Sequence, residues 1–171
     1  MKKGFTLLEV IISISVLTVA VGGTYALISQ TMRAASLANS KLIAAYLAQE
    51  GVEIVRSFRD NNWLNQRINP GLSWKAGLGA GEYEADYNDA ALVSFAAEGR
   101  YLYIDSANGF YAYLDSPELG GTQTKFKRKI TIAEDGDDKI DVIVRVFWQE
   151  RGGNYEIKVV ENLYNWCPYV Y

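Results

Sequence analysis

Lys2-Lys3-Gly4-Phe5-Thr6-Leu7-Leu8-Glu9-Val10 leads into an apolar run that reaches Ile28, and the reading of this stretch decides the fold. The 24 residues from Phe5 to Ile28 hold a single charge, Glu9. As a helix rising about 1.5 Å per residue they reach roughly 36 Å, enough to cross a hydrocarbon core of about 30 Å. Lys2 and Lys3 on the short leading side predict a cytoplasmic N-terminus, with everything after the span outside. Glu9 then stands roughly 6 Å inside the apolar segment, where an ionised side chain costs on the order of a few kcal/mol. A carboxylate in that place needs a partner.

These nine residues and the apolar run after them resemble the processing site of type IV pilin precursors and type II secretion pseudopilins. The resemblance implies cleavage between Gly4 and Phe5 by a prepilin peptidase, which also methylates the new amino terminus at Phe5. It implies as partners that peptidase, other pilin or pseudopilin subunits, the cytoplasmic membrane and assembly platform proteins. A glycine before the cut lets the backbone enter a narrow protease site without a side-chain clash. The cut leaves a charged amine on an apolar helix end. With an axial stagger between helices, Glu9 of one subunit can pair with the amine of its neighbour.

Two other readings fit a basic pair before an apolar run. A secretory signal peptide would use Thr24-Tyr25-Ala26 as its cleavage site, but its apolar core is usually about 7 to 15 residues and carries no acid. A single-pass tether for an outer binding or adhesion domain that never polymerises has no use for Glu9. The favoured expectation is a structural subunit, a minor pilin or pseudopilin, in the inner membrane and then in an extracytoplasmic filament.

With 171 residues, 49% of them hydrophobic and 13% aromatic, the chain suits one folded domain behind an N-terminal extension. Its net charge is −3, and loss of Lys2 and Lys3 takes it to −5, which argues against a nucleic-acid binder. A local patch at Lys125, Lys127, Arg128 and Lys129 runs against that net charge. Cys167 is the single cysteine, so no internal disulfide forms.

The expected fold is α+β, with a long N-terminal helix packed on a C-terminal antiparallel sheet, as the pilin resemblance also implies. The expected parts are a leader at 1–4, a membrane half of the helix at 5–28, a head-packing half at 29–58 and a head at 59–171. Ala38, Leu42, Ala45, Val52 and Val55 recur at helical spacing and predict the buried face. Many relatives by resemblance carry a proline in the outer apolar segment, whereas this chain has Ala26 there and weakens its helix only at Gly22-Gly23.

Asp60-Asn61-Asn62, Asn69-Pro70-Gly71 and the glycines up to Gly81 predict a variable loop over 59–81, pinned to the core by Trp63 and Trp74. Gly81 to Tyr87 alternates acids with Tyr83, Ala85 and Tyr87, as an edge strand does. Tyr101 to Asp105 and Phe110 to Leu114, joined by Ser106-Ala107-Asn108-Gly109, predict a hairpin, with Leu102, Ile104, Phe110, Ala112 and Leu114 on one face. Tyr101, Tyr103, Tyr111 and Tyr113 fall on the other. Lys125 to Ala133, Lys139 to Gln149 and Asn154 to Tyr164 alternate strongly and predict a three-stranded meander. Arg128 followed by Val-x-Val-x-Val-x-Trp on the next strand resembles minor rather than major subunits.

The chain has no histidine, which removes histidine triads and imidazole metal sites. Asp135, Asp137, Asp138 and Asp141 are weak candidates for calcium; they lack the EF-hand spacing and read better as a solvated turn. No catalytic residue and no cofactor is expected. The outer tyrosines have the chemistry to stack on sugars or aromatic ligands. The head carries no signature that separates a pilus from a secretion pseudopilus or a DNA-uptake filament.

Overall fold

The computed structural model describes residues 4–113 and 121–166. Lys2, Lys3, Leu114 and Cys167 lie outside the described residues. The chain forms two compact units, Met1–Ser40 and Lys41–Tyr171.

Helix α1 runs from Leu7 to Gln66. In the first unit it is exposed throughout the apolar run and stays helical across Gly22 and Gly23. Several of its hydroxyls bond within the helix. Ser13, Ser15, Thr18 and Thr24 each donate to the carbonyl four residues earlier, at 2.7–2.8 Å. Such internal bonding suits a medium that offers no hydrogen-bond partners. By length and composition α1 is able to cross a membrane.

In the second unit the helix buries Ala44, Leu47, Ala48, Gly51, Val52, Val55, Arg59 and Trp63. The predicted face needs correcting here: Val52 and Val55 are buried, but Ala38 and Leu42 are exposed and Ala45 is half-buried. The helix also runs eight residues past Phe58, to Gln66. Asn62, which reads as loop chemistry, sits on the helix and donates to Trp74 O and Ala76 O at 3.0 and 2.8 Å. Gln66 likewise donates to Leu72 O at 2.8 Å, so these amides tie the following loop back to the last helical turns.

The sheet contains β1 Gly81–Glu84, β2 Val93–Ser94, β3 Tyr101–Asp105, β4 Tyr111–Ala112, β5 Gly121–Glu134, β6 Lys139–Glu150 and β7 Gly153–Tyr164. All pairings are antiparallel. β5 is its axis. One side of β5 pairs with β6, which pairs with β7. The other side carries β3 and β1 end to end, at Gly121 to Lys127 and Ile130 to Ile132. Ile130, Ile132, Ile140, Val142, Val144 and Val146 form the buried face, and each is fully or almost fully excluded from solvent. The 14-, 12- and 12-residue strands β5, β6 and β7 follow the predicted meander closely. β6 turns into β7 through Arg151 and Gly152, both at positive φ, 52° and 80°. That geometry matches the sheet's twist.

Two strand expectations change. β1 is not an edge, because β2 covers it through Tyr83↔Ser94 and Glu84↔Val93. The hairpin forms across Ser106-Ala107-Asn108-Gly109 as expected, in the register Ile104↔Tyr111 and Tyr103↔Ala112, but its faces differ from the expectation. Asp105 accepts from Ala107 N at 2.8 Å and Asn108 from Phe110 N at 2.8 Å, so side chains rather than a two-residue turn set the loop. Directly paired residues share a face, which turns Tyr111 toward the helix side with Ile104.

Candidate functional site

At the N-terminus, Thr6 precedes the helix and its Oγ1 accepts from Glu9 N at 3.3 Å. Thr6-Leu7-Leu8-Glu9 therefore has the spacing of a capping box, with Glu9 in the first turn of α1. The spacing was visible in the sequence beneath the processing motif. Glu9 is exposed, and it makes no salt bridge among the described residues. Gly4 and Phe5 precede the cap and are exposed, Phe5 at 82%. Gly4, Phe5 and Glu9 thus fall within six consecutive exposed residues at the start of α1.

The head's polar residues mostly serve its own core. Arg128, fully buried on β5, donates to Leu47 O and to Glu50 Oε2 at 3.0 Å each, and also to Ala85 O. This ties β5 to α1 and to the turn after β1. Glu84, 1% exposed, accepts from Arg100 N and from Arg100 Nε, both at 2.7 Å. Asp86 accepts from Tyr113 N at 2.7 Å and from Asn88 N at 2.9 Å. Glu84 and Asp86 therefore face inward, although their alternation in the sequence resembles a solvated edge.

Tyr113 donates its hydroxyl to Arg128 O at 3.1 Å and lies under the Arg100 guanidinium. Burial pushes its phenol up to about 12, with Arg128 acting in the opposite direction and Glu84 adding to the rise. Tyr111 stands beside Glu50, and burial and then the carboxylate's charge raise its pKa. The predicted outer tyrosine face is thus reduced to Tyr101 and Tyr103. Trp74 is buried and pins the loop, as expected, its Nε1 donating to Asp137 O at 3.0 Å, whereas Trp63 is buried but sits on α1, where its Nε1 donates to Asn165 Oδ1 at 3.2 Å and ties the helix end to the segment after β7.

The basic patch separates into a core residue and three paired lysines. Arg128 points into the core, while Lys125 meets Glu150 at 2.8 Å and Lys129 meets Glu82 at 2.6 Å. Lys127 donates to Glu98 O at 2.9 Å. At the acidic turn, Lys139 Nζ sits 2.7 Å from Asp135 Oδ2 and 2.9 Å from Asp141 Oδ1. Asp138 accepts from Asn165 Nδ2 at 3.4 Å. Among the described residues no three acids, histidines or cysteines converge as a metal site would require.

A membrane-length apolar helix whose later turns pack on an antiparallel sheet defines a pilin-like α+β architecture. Residues 1–25 match the family model of the prokaryotic N-terminal methylation motif, which supports the type IV pilin and pseudopilin family. No curated protein and no solved structure matches the chain.

Proposed function

We propose that this chain is a structural subunit, a minor pilin or pseudopilin, of a type IV pilus or type II secretion-like filament. A prepilin peptidase cuts after Gly4 and methylates Phe5. The uncut precursor spans the inner membrane with its N-terminus inside, and the mature chain joins other subunits through the first half of α1. The chain carries out no catalysis of its own. Minor rank rests on the Arg128 and Val142 to Trp148 pattern, whose residues are all core-forming on β5 and β6.

The observation that carries this reading is Glu9. Its place in the first turn of α1 gains about 0.3–1 kcal/mol from the helix dipole. An unpaired carboxylate in an apolar medium costs on the order of a few kcal/mol, so the dipole does not offset it. A neighbouring subunit's amino terminus supplies the missing charge. Replacing Glu9 by Ala or Gln is expected to abolish or sharply reduce incorporation into filaments while the membrane-bound head stays folded. Undiminished incorporation contradicts the pairing. A wild-type chain that stays in the membrane and never co-purifies with filaments instead marks a tethered head.

A further inference from the structure

The β5–β6 ladder ends at Phe126↔Trp148, and beyond that pair the two strands part. Residues Gly121 to Gln123 of β5 pair with β3, while Gln149 and Glu150 of β6 pair only with β7. A cleft of about 850 Å³ opens there, within the size range of small-molecule sites. Directly paired residues share a face of the sheet. Tyr101, Lys127, Phe147 and Glu156 therefore stand in one row on the face opposite the core, through Tyr101↔Lys127, Lys127↔Phe147 and Phe147↔Glu156. Gln149↔Asn154 follows two residues further along on the same face. Phe126 and Trp148 turn the other way, into the core.

Charge is unevenly matched on this outer face. Among the lining residues, Lys125 meets Glu150 at 2.8 Å, and Glu156 meets Arg145 at 3.3 Å. Lys127 is left over. Its Nζ lies 4.4 Å from the centre of the Tyr101 ring and donates to Glu98 O at 2.9 Å, with no carboxylate beside it among the described residues. An ammonium has three donors, so the rest remain for a ligand. The neighbouring row, about 7 Å along the strands, is Lys129↔Arg145↔Lys158, three cations directly opposite one another. Like charges so placed destabilise a sheet. Glu82 offsets Lys129 at 2.6 Å and Glu156 offsets Arg145, but the exposed Lys158 makes no ion pair among the described residues. A chain of net charge −3 thus carries a local excess of positive charge along this cleft.

The surroundings select the kind of anion. Phosphate is held best by the planar fork of an arginine, and Arg145 already faces Glu156. A lysine point charge suits a single carboxylate. Gln123, Gln149 and Asn154 are exposed primary amides at the cleft, each with a donor and an acceptor side by side, the complement of adjacent hydroxyls. Phe147, half-buried between Lys127 and Glu156, gives a ring for the C–H surface of a pyranose.

We propose that this cleft binds a short acidic oligosaccharide, a polyuronate, with one carboxylate on Lys127 Nζ, a sugar ring on Phe147 and hydroxyls bonded by Gln149 and Asn154. The inference does not depend on filament assembly. The full-length chain, held in lauryldimethylamine oxide to keep sugar detergents away, is titrated calorimetrically with trigalacturonate, triguluronate, maltotriose, inorganic triphosphate and a triglutamate peptide. At least one uronate is expected to bind at millimolar concentration or tighter, and ahead of the other three probes. Lys127→Gln is expected to weaken that binding about tenfold or more, and Gln149→Ala with Asn154→Ala about fivefold. Salt at about 1 M, where the screening length falls to about 3 Å, is expected to weaken binding to the parent and to leave the residual binding of Lys127→Gln nearly unchanged. Gln149 and Asn154 are exposed on the β6–β7 hairpin, so the double variant tests the site even if Lys127→Gln fails to fold. The proposal is overturned if neither uronate binds, or if either variant, folded, binds as the parent does. Maltotriose, triphosphate or triglutamate binding as tightly as the better uronate overturns it equally.

Discussion

Gly51 on α1 meets Val144 on β6 so closely that a Cβ placed on the glycine would stand 2.8 Å from Val144 Cγ1 and 3.1 Å from Arg128 Cδ. Alanine at a helix interior is better than glycine by about 0.5–1 kcal/mol. Overpacking a closed core typically costs about 1–3 kcal/mol, and both neighbours are fully buried. Gly51→Ala is therefore expected to destabilise the head by about 1–2 kcal/mol, and Gly51→Leu by more. Denaturant unfolding of the full chain, followed by tryptophan fluorescence, checks this. A Gly51→Ala protein more stable than the parent contradicts the close approach.

The Arg128–Glu50 pair is asymmetric, since the arginine is fully buried and the Glu50 side chain is 32% exposed. Removing the buried partner leaves two backbone acceptors and a carboxylate without their donor. Arg128→Met is expected to cost about 3 kcal/mol or more, whereas Glu50→Gln, whose partner keeps Leu47 O and Ala85 O, is expected to cost under about 1.5 kcal/mol. Equal losses in the two unfolding curves contradict the assigned hierarchy.

Tyr113 gives the head an alkaline limit. Its phenol is raised from the ordinary 10.0 to about 12, so the folded chain holds this proton more tightly than the unfolded one. Its contribution is fully present below pH 10 and is lost as pH rises from 10 to about 12. The change is on the order of 2–3 kcal/mol. Tyr113→Phe is expected to lower stability at neutral pH by about 1 kcal/mol, through the lost bond to Arg128 O, and to flatten the fall above pH 10. Parallel stability curves for the two proteins above pH 10 contradict this.

Lys139 bridges Asp135 and Asp141 across the β5–β6 turn, an exposed arrangement that raises its own pKa through bonds to Asp135 and then Asp141. Millimolar calcium is expected to leave the unfolding midpoint of the parent unchanged. Lys139→Ala is expected to leave stability almost unchanged, as the loss of a surface pair does. A calcium-dependent rise in the parent's midpoint contradicts the geometry.

The long strands were legible because their side chains alternate over a dozen positions with one face wholly apolar, from Ile140 to Trp148 most plainly. The helix was legible as a type but not in its end or its face. Asn62 and Gln66 have the composition of a loop, and only their bonds to Trp74 O, Ala76 O and Leu72 O show why they stay helical. The hairpin across Ser106 to Gly109 was right in kind and in register, but its faces were misjudged: Ile104 pairs with Tyr111, which therefore shares its side of the sheet rather than lying opposite. Glu84, Asp86 and Arg128 were hidden because burial of a charge depends on a distant partner that no local pattern names. At the N-terminus the reverse holds. Gly4, Phe5 and Glu9 were read from nine consecutive residues, and the structure adds Thr6 as the cap that orients them.

The mature amino terminus tests the central claim most directly. Intact-mass and N-terminal peptide mass spectrometry on the chain, purified from cells that hold an active prepilin peptidase, reads the cut and the modification together. The expected chain begins at Phe5 and carries one added methyl group on its amine. A mature chain that begins at unmethylated Met1, or one cut after Ala26, contradicts the account.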